Sequence, residues 1–207
     1  MDRRHVVVAG LIAGTACSMP ARAGDGPLGI DHTTAYDNHG LWKRSNQKTL
    51  EGLLIGGEIA GALWEGSDTR LGDTLYRSID ASVIGAVSTE VLKHAFRRLR
   101  PTETSDPNEW FKHGGRSFPS GEVALATGVV TPIILEYGHD NPAVYSLALL
   151  PLYDGIARVK VHGHWQTDIL AGWAIGSATG YYAHSRGQSI TVGILPRGLT
   201  VGWRTTF

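Results

Sequence analysis

A helical globular domain closed by a short β-hairpin is the fold the sequence predicts. Three observations lead there. Apolar residues recur every four positions at Leu71, Leu75, Ile79, Val83, Val87 and Val91, a spacing that keeps side chains on one side of an α-helix. Capping and stop signals at Ser120, Gly138 and Asn141-Pro142 divide the downstream apolar runs into helices. From Ile190 the period changes to two, through Val192 and Ile194 and again through Leu199, Val201, Trp203, Thr205 and Phe207, as in a pair of strands.

The elements follow in chain order. Asp2-Arg3-Arg4-His5, an apolar stretch from Val6 to about Met19 and the pattern Ala21-Arg22-Ala23 read as a secretory signal peptide over residues 1–23. Its removal would take Arg3, Arg4, Arg22 and Asp2, moving the formal net charge from zero to −2. It would also remove Cys17, the single cysteine, so no disulfide or thiolate metal site is expected. Gly14-Thr15-Ala16 before Cys17 lack the large aliphatic residue of a lipid-anchor motif.

Residues 24–50 are polar and aperiodic and read as an arm or loop, ahead of a domain over residues 51–207. Glu51–Trp64 is apolar with small residues, and Leu71–Leu99 reads as a helix stopped by Arg100-Pro101. Residues 102–117 read as a polar loop. Ser120 caps a helix to about Tyr137 with a kink expected at Pro132, Asn141-Pro142 opens another to about Val159 with a kink at Pro151, and Trp165–His184 is the last. The hairpin, about residues 188–207, turns at Pro196-Arg197-Gly198 and needs the helices to pack on, since two strands alone are marginal.

Composition narrows the function. Lys+Arg and Asp+Glu are both 19, without the basic excess of a nucleic-acid binder. The longest uncharged stretches, Val123–Leu135, Asn141–Tyr153 and Ile169–His184, fall short of the ~20 apolar residues of a membrane span. A globular helical domain is therefore favoured over a polytopic one.

Three segments carry candidate chemistry. Lys93 and Arg100-Pro101 are spaced as K-x6-R-P, which on a helix places both cations on one face. Alone they read rather as a solvated basic face together with Arg97 and Arg98. Phe118-Pro119-Ser120-Gly121-Glu122 opens a helix, so a hydroxyl and free N–H groups stand at its positive end, an anion site or a plain cap. In Ala157-Arg158-x5-His164-x3-Asp168 the histidine and aspartate are four residues apart. A carboxylate on one ring nitrogen orients the imidazole and makes the other more basic, unless the pair is structural. Together these segments supply Lys93, Arg100 and Arg158 as cations, neutral donors at Ser120 and Gly121, and an imidazole. That set suits a phosphoryl group, whose transition state spreads charge over its equatorial oxygens.

The three segments resemble the tripartite signature of the type-2 phosphatidic acid phosphatase and vanadium haloperoxidase superfamily: K-x6-R-P, then P-S-G-H, then S-R-x5-H-x3-D. The similarity runs from about Leu71 to Tyr182 and includes His164-Trp165-Gln166-Thr167-Asp168-Ile169-Leu170-Ala171-Gly172. The resemblance implies an all-α helical bundle, here with its C-terminal hairpin. It implies hydrolysis of phosphomonoesters or pyrophosphates through a phosphohistidine, without a metal or organic cofactor, in an anion site that phosphate or vanadate can occupy. By motif position His164 is the nucleophile and Asp168 its partner, while Lys93, Arg100, Ser120, Gly121 and Arg158 hold the phosphate. Export together with apolar helices points to a lipid-linked substrate at the periplasmic face of an inner membrane, with the membrane surface as a partner and nucleic acid excluded.

Two positions depart from that signature. Ala157 replaces a serine, with a mild effect expected. Glu122 replaces the histidine that protonates the leaving oxygen. A glutamic acid does this only with a raised pKa, whereas nearby cations lower it. Glu122 is then a substitute catalytic acid, an adaptation to another leaving group, or the mark of a weakened, phosphate- or lipid-binding homologue. His113 and His162 are stand-in acids by proximity in sequence. A vanadate-dependent haloperoxidase and a phosphotransferase use the same pocket and stay open as alternatives.

Overall fold

The computed structural model describes residues 26–187, 189–195 and 198–203, and the stretch 1–23 read as a signal peptide lies outside them. Five α-helices make the domain: α1 (Arg44–Glu65), α2 (Arg70–Phe96), α3 (Gly121–Tyr137), α4 (Leu149–Lys160) and α5 (Gln166–Ser185). Short 3-10 turns span Gly40–Trp42 and Pro142–Ala148. Strands β1 (Ile190–Leu195) and β2 (Gly198–Trp203) pair antiparallel, so the expected all-α bundle with its hairpin is present. The expected turn residues Pro196 and Arg197 lie outside the described part. The hairpin is tied to the bundle at its start, where the Ile190 N–H donates to Asp80 on α2 at 2.6 Å. Among the described residues no helix is long and apolar enough to cross a membrane.

Helix α3 is the centre, packed against α2 and α5. The α3–α5 contact is close because α5 presents a glycine every fourth residue. A Cβ on Gly176 would stand 2.4 Å from the Ala124 carbonyl oxygen, and one on Gly172 2.7 Å from that of Ser120. Backbone-to-backbone approach of this kind is what small residues at an interface permit. Pro132 lies buried inside α3.

The four-residue apolar repeat marks α2 as a helix but not its buried face. Val83, Val87 and Val91 are exposed. The inward face carries Gly72, Thr74, Ser78, Ala81, Ser82, Gly85 and Thr89. Small residues win this face because α3 packs close, and their hydroxyls find carbonyls there: Ser78 Oγ donates to Val129 O at 3.0 Å.

Other boundaries differ from expectation for identifiable reasons. Helix α1 starts at Arg44, inside the stretch read as an arm, and its first N–H is taken by Asn38 Oδ1 at 2.7 Å. Helix α2 ends at Phe96, where Arg97 turns left-handed at φ 42 and donates its N–H to Lys93 O. Arg100 therefore lies beyond the helix, and it does not share a helical face with Lys93. Residues expected as one kinked helix from Asn141 divide into the 3-10 turn and α4. Pro151 falls in the first turn of α4, where its missing N–H costs no hydrogen bond.

The segment before α1 is strapped across the bundle end where α4 meets α5. Asp37 N donates to Lys160 O at 2.9 Å, the His162 Nε2 lies 2.7 Å from Thr34 O, and Trp42 stacks on Tyr153. This strap carries Tyr36, Asn38 and Arg44 to the place where the three motif segments converge.

Candidate active site

The convergence encloses an open cavity of about 530 Å³. Lys93 reaches it from the last turn of α2, and Arg100 from the loop that follows. Gly121 and Glu122 come from the first turn of α3, Arg158 from the end of α4, and His164 from the α4–α5 connection. Helix α1 and the strap add Arg44, Lys48, Tyr36 and Asn38. Lys93, Arg158 and His164 are each almost wholly buried, at 8%, 4% and 3% exposure, so their polar ends are presented to the cavity rather than to bulk solvent.

Two glycines lie directly against these cations. A Cβ on Gly121 would stand 2.8 Å from the Lys93 ammonium, and one on Gly163 would stand 2.5 Å from the Arg158 guanidinium. The cations are crowded. Burial and the charges of Arg44 and Arg100 lower the Arg158 pKa, with Glu122 working against them. Arg158 Nε and the fully buried Ser120 Oγ have no hydrogen-bond partner among the described residues. Ser120 stands at the N-cap position of α3, yet its hydroxyl makes no capping bond. Its backbone N–H instead donates to Asp168 O at 3.0 Å, tying α3 to α5.

His164 has its Nδ1 3.6 Å from Asp168 Oδ2, within ion-pair range and longer than a hydrogen bond. Burial pushes the imidazole pKa down to about 4, against the opposing pull of Asp168 and helped by Arg158 and Arg100. The ring is therefore neutral near pH 7 and keeps a lone pair. Asp168 is held as a carboxylate: burial would raise its pKa, but His164, Arg98 and Ser117 outweigh it. The same carboxylate takes the Trp165 N–H at 2.9 Å and the Ser117 hydroxyl at 2.5 Å.

Arg98 corrects the reading of the Arg97-Arg98 pair as a solvated face. Arg97 is exposed, but Arg98 is fully buried. It donates to Asp168 Oδ1 at 2.7 Å, to Asp31 Oδ2 at 2.5 Å and to Pro107 O, and its guanidinium lies 4.5 Å from the Trp110 ring centre. Asp31 also accepts from the Thr167 N–H and hydroxyl. This Asp31–Arg98–Asp168 chain holds the carboxylate behind His164. The left-handed turn at Arg97 sends consecutive arginines to opposite environments, which composition alone does not announce.

Glu122 faces the cavity with both oxygens occupied. The two terminal nitrogens of Arg44 donate one to each carboxylate oxygen, and Arg158 Nε is 3.8 Å away. Burial would raise the carboxyl pKa, but the Arg44 hydrogen bonds and the Arg158 and Arg44 charges hold it below the ordinary value. The stand-in histidines lie elsewhere: His113 is exposed in its loop, the His162 ring is spent on Thr34 O, and neither lines the cavity. Buried Asp154 on α4 is pushed up to about 7 by burial and by Glu122.

Separated segments of this helical domain thus bring five arginines and lysines, Arg44, Lys48, Lys93, Arg100 and Arg158, to one cavity with a buried, neutral imidazole. The chain belongs to the PAP2 superfamily, which it matches over residues 79–189. A 90-residue stretch, 42% of the chain, is 37% identical to the lipid A 1-phosphatase of Porphyromonas gingivalis, and it spans 18% of that protein's length. The fold is similar to the crystal structure of Aquifex aeolicus LpxE, with a TM-score of 0.50 and 23% identity over 67% of this chain and 83% of that one.

Proposed function

We propose that the protein is a phosphatase acting on a lipid-linked phosphate or pyrophosphate, with His164 as the nucleophile. The observation that carries this reading is the meeting of Lys93, Arg100, Arg158 and neutral His164 on one cavity. The imidazole nitrogen remote from Asp168 attacks phosphorus, the bond to the leaving oxygen breaks, and a phosphohistidine forms. Water then attacks phosphorus, the N–P bond breaks, and inorganic phosphate leaves. Lys93, Arg100 and Arg158 stabilise the equatorial oxygens, and the unpartnered Ser120 hydroxyl and Arg158 Nε are donors in reserve for them. Asp168 steadies the imidazole as it becomes cationic. The steps call on no metal.

The lipid-linked substrate follows from the lipid A 1-phosphatase likeness, and a periplasmic site of action from the leader pattern at residues 1–23. The test is phosphate release from lipid and soluble phosphoesters with and without chelator. Release that persists with chelator and is lost in His164→Ala, together with an acid-labile phosphoprotein in a rapid quench, is the expected result. Unchanged release in His164→Ala removes His164 from the role. The clamped Glu122 also favours a second reading, a phosphate-binding homologue without turnover, which any His164-dependent release excludes.

A further inference from the structure

We propose that Arg44 is the leaving-group residue of this site, that Glu122 is its positioning residue and not a proton donor, and that the substrates are those whose leaving group departs as a stabilised anion. Phosphoanhydrides and aryl-type esters belong to that class, and simple alkyl phosphomonoesters do not. This deepens the phosphatase reading above and rests on it.

The geometry of one ion pair carries the inference. Glu122 occupies the first turn of α3, beside Gly121 and facing the cavity with His164. Both of its oxygens accept from the fork of Arg44. A carboxylate held bidentate in this way is fixed in its ionised form, and it has no proton to give to an oxygen leaving phosphorus. The pair is mostly shielded from water, with side chains 29% and 21% exposed. Gln47 holds the guanidinium from the other side, accepting from it at 2.9 Å. Three of the five Arg44 N–H groups are committed in these bonds, which leaves two for a ligand.

Besides His164, the other side chains with N–H or O–H protons on the cavity among the described residues are Tyr36, Asn38, Thr102, the lysines and the arginines. These groups are weak acids or permanent cations, suited to stabilising negative charge and ill suited to protonating an alkoxide. In the first step the bond from phosphorus to the leaving oxygen therefore breaks with the electron pair on that oxygen. The anion leaves against Arg44 and takes a proton later from water if its pKa requires one. A departing phosphate or phenolate tolerates this, whereas an alkoxide does not. The ion pair also explains how an acidic residue can sit in a phosphate pocket: Arg44 cancels its charge locally.

The test compares octyl diphosphate with octyl phosphate, which share one alkyl anchor, and uses 4-nitrophenyl phosphate as reference, on the full chain and on Glu122→Gln and Glu122→His. Wild-type kcat/KM should be at least ~100-fold higher for octyl diphosphate than for octyl phosphate, since a general acid contributes about 10²–10⁴-fold. Glu122→Gln should lower all three rates while keeping that ratio, because it loosens Arg44 without removing a proton donor. Glu122→His should narrow the ratio by ~10-fold or more. A wild-type ratio below ~100-fold, or an octyl phosphate rate lost selectively in Glu122→Gln, overturns the inference and leaves the phosphatase reading intact. The wild-type ratio decides alone if the histidine variant does not fold. No release from any of the three substrates, 4-nitrophenyl phosphate included, overturns the phosphatase reading itself and this inference with it.

Discussion

Asp168 stands 3.6 Å from the Nδ1 of His164 with one carboxylate oxygen and gives the other to the Arg98 guanidinium at 2.7 Å. One buried side chain thus joins the His164 ring, the proposed nucleophile, to the structural core. Asp168→Asn should cut kcat on the order of 100-fold, as loss of an orienting partner does. It should also lower stability, because Arg98 is left with one carboxylate, that of Asp31, in place of two. Steady-state kinetics and thermal unfolding on the same variant separate the two effects.

Arg98→Ala should be among the most destabilising single changes in the chain. It leaves Asp31 and Asp168 buried and uncompensated, a loss of about 3–5 kcal/mol. Denaturant unfolding reads it directly, and Arg98→Lys should not rescue it, since one ammonium cannot reproduce the fork between two carboxylates.

The depressed His164 pKa sets an acid limb. In the proposed mechanism the neutral ring attacks, so kcat/KM should hold through pH 5 and fall only as pH drops through about 4. An ordinary imidazole would lose rate below about 6.5. The linked stability runs the same way. The folded pKa lies below the unfolded value, so this contribution is complete above pH 6.5 and is lost as pH falls towards 4. A pH–rate profile with 4-nitrophenyl phosphate checks the first expectation, and melting curves of wild type and His164→Gln check the second.

Glu58 gives the opposite sign. It is buried on α1 with Ser82 Oγ at 3.2 Å, and burial pushes its carboxyl up to about 7, more than the Ser82 bond lowers it. A raised carboxyl stabilises below its unfolded pKa and loses that contribution as pH rises through about 7. Glu58→Gln should therefore melt higher than wild type at pH 8, by an amount on the order of 3 kcal/mol, and match it at pH 4.

Gly176→Ala tests the α3–α5 contact. Its methyl would enter the space of the Ala124 carbonyl and the Thr127 side chain, at 2.4 and 2.5 Å. The helices must separate, and a loss of about 1–3 kcal/mol is expected in unfolding experiments. The same change at Gly52, where a Cβ meets nothing within 4 Å, should be neutral or stabilising.

The sequence by itself determined α2, α3, α5 and the two strands, because their periods and stop signals are local. It named Lys93, Arg100, Ser120, Gly121, Glu122, Arg158, His164 and Asp168 as candidates through spacing and family resemblance, while the start of α1 and the break before α4 were not legible in it. What it could not determine was which side of α2 is inside. Hydrophobicity marked the valines, whereas close helix packing selected the glycines, serines and threonines. Nor could it supply partners from distant segments. Arg98 joins Asp31 and Asp168 across 67 and 70 positions, and Arg44 joins Glu122 across 78. No periodicity links residues so far apart; only the tertiary structure brings their charges together, where burial makes each pairing obligatory.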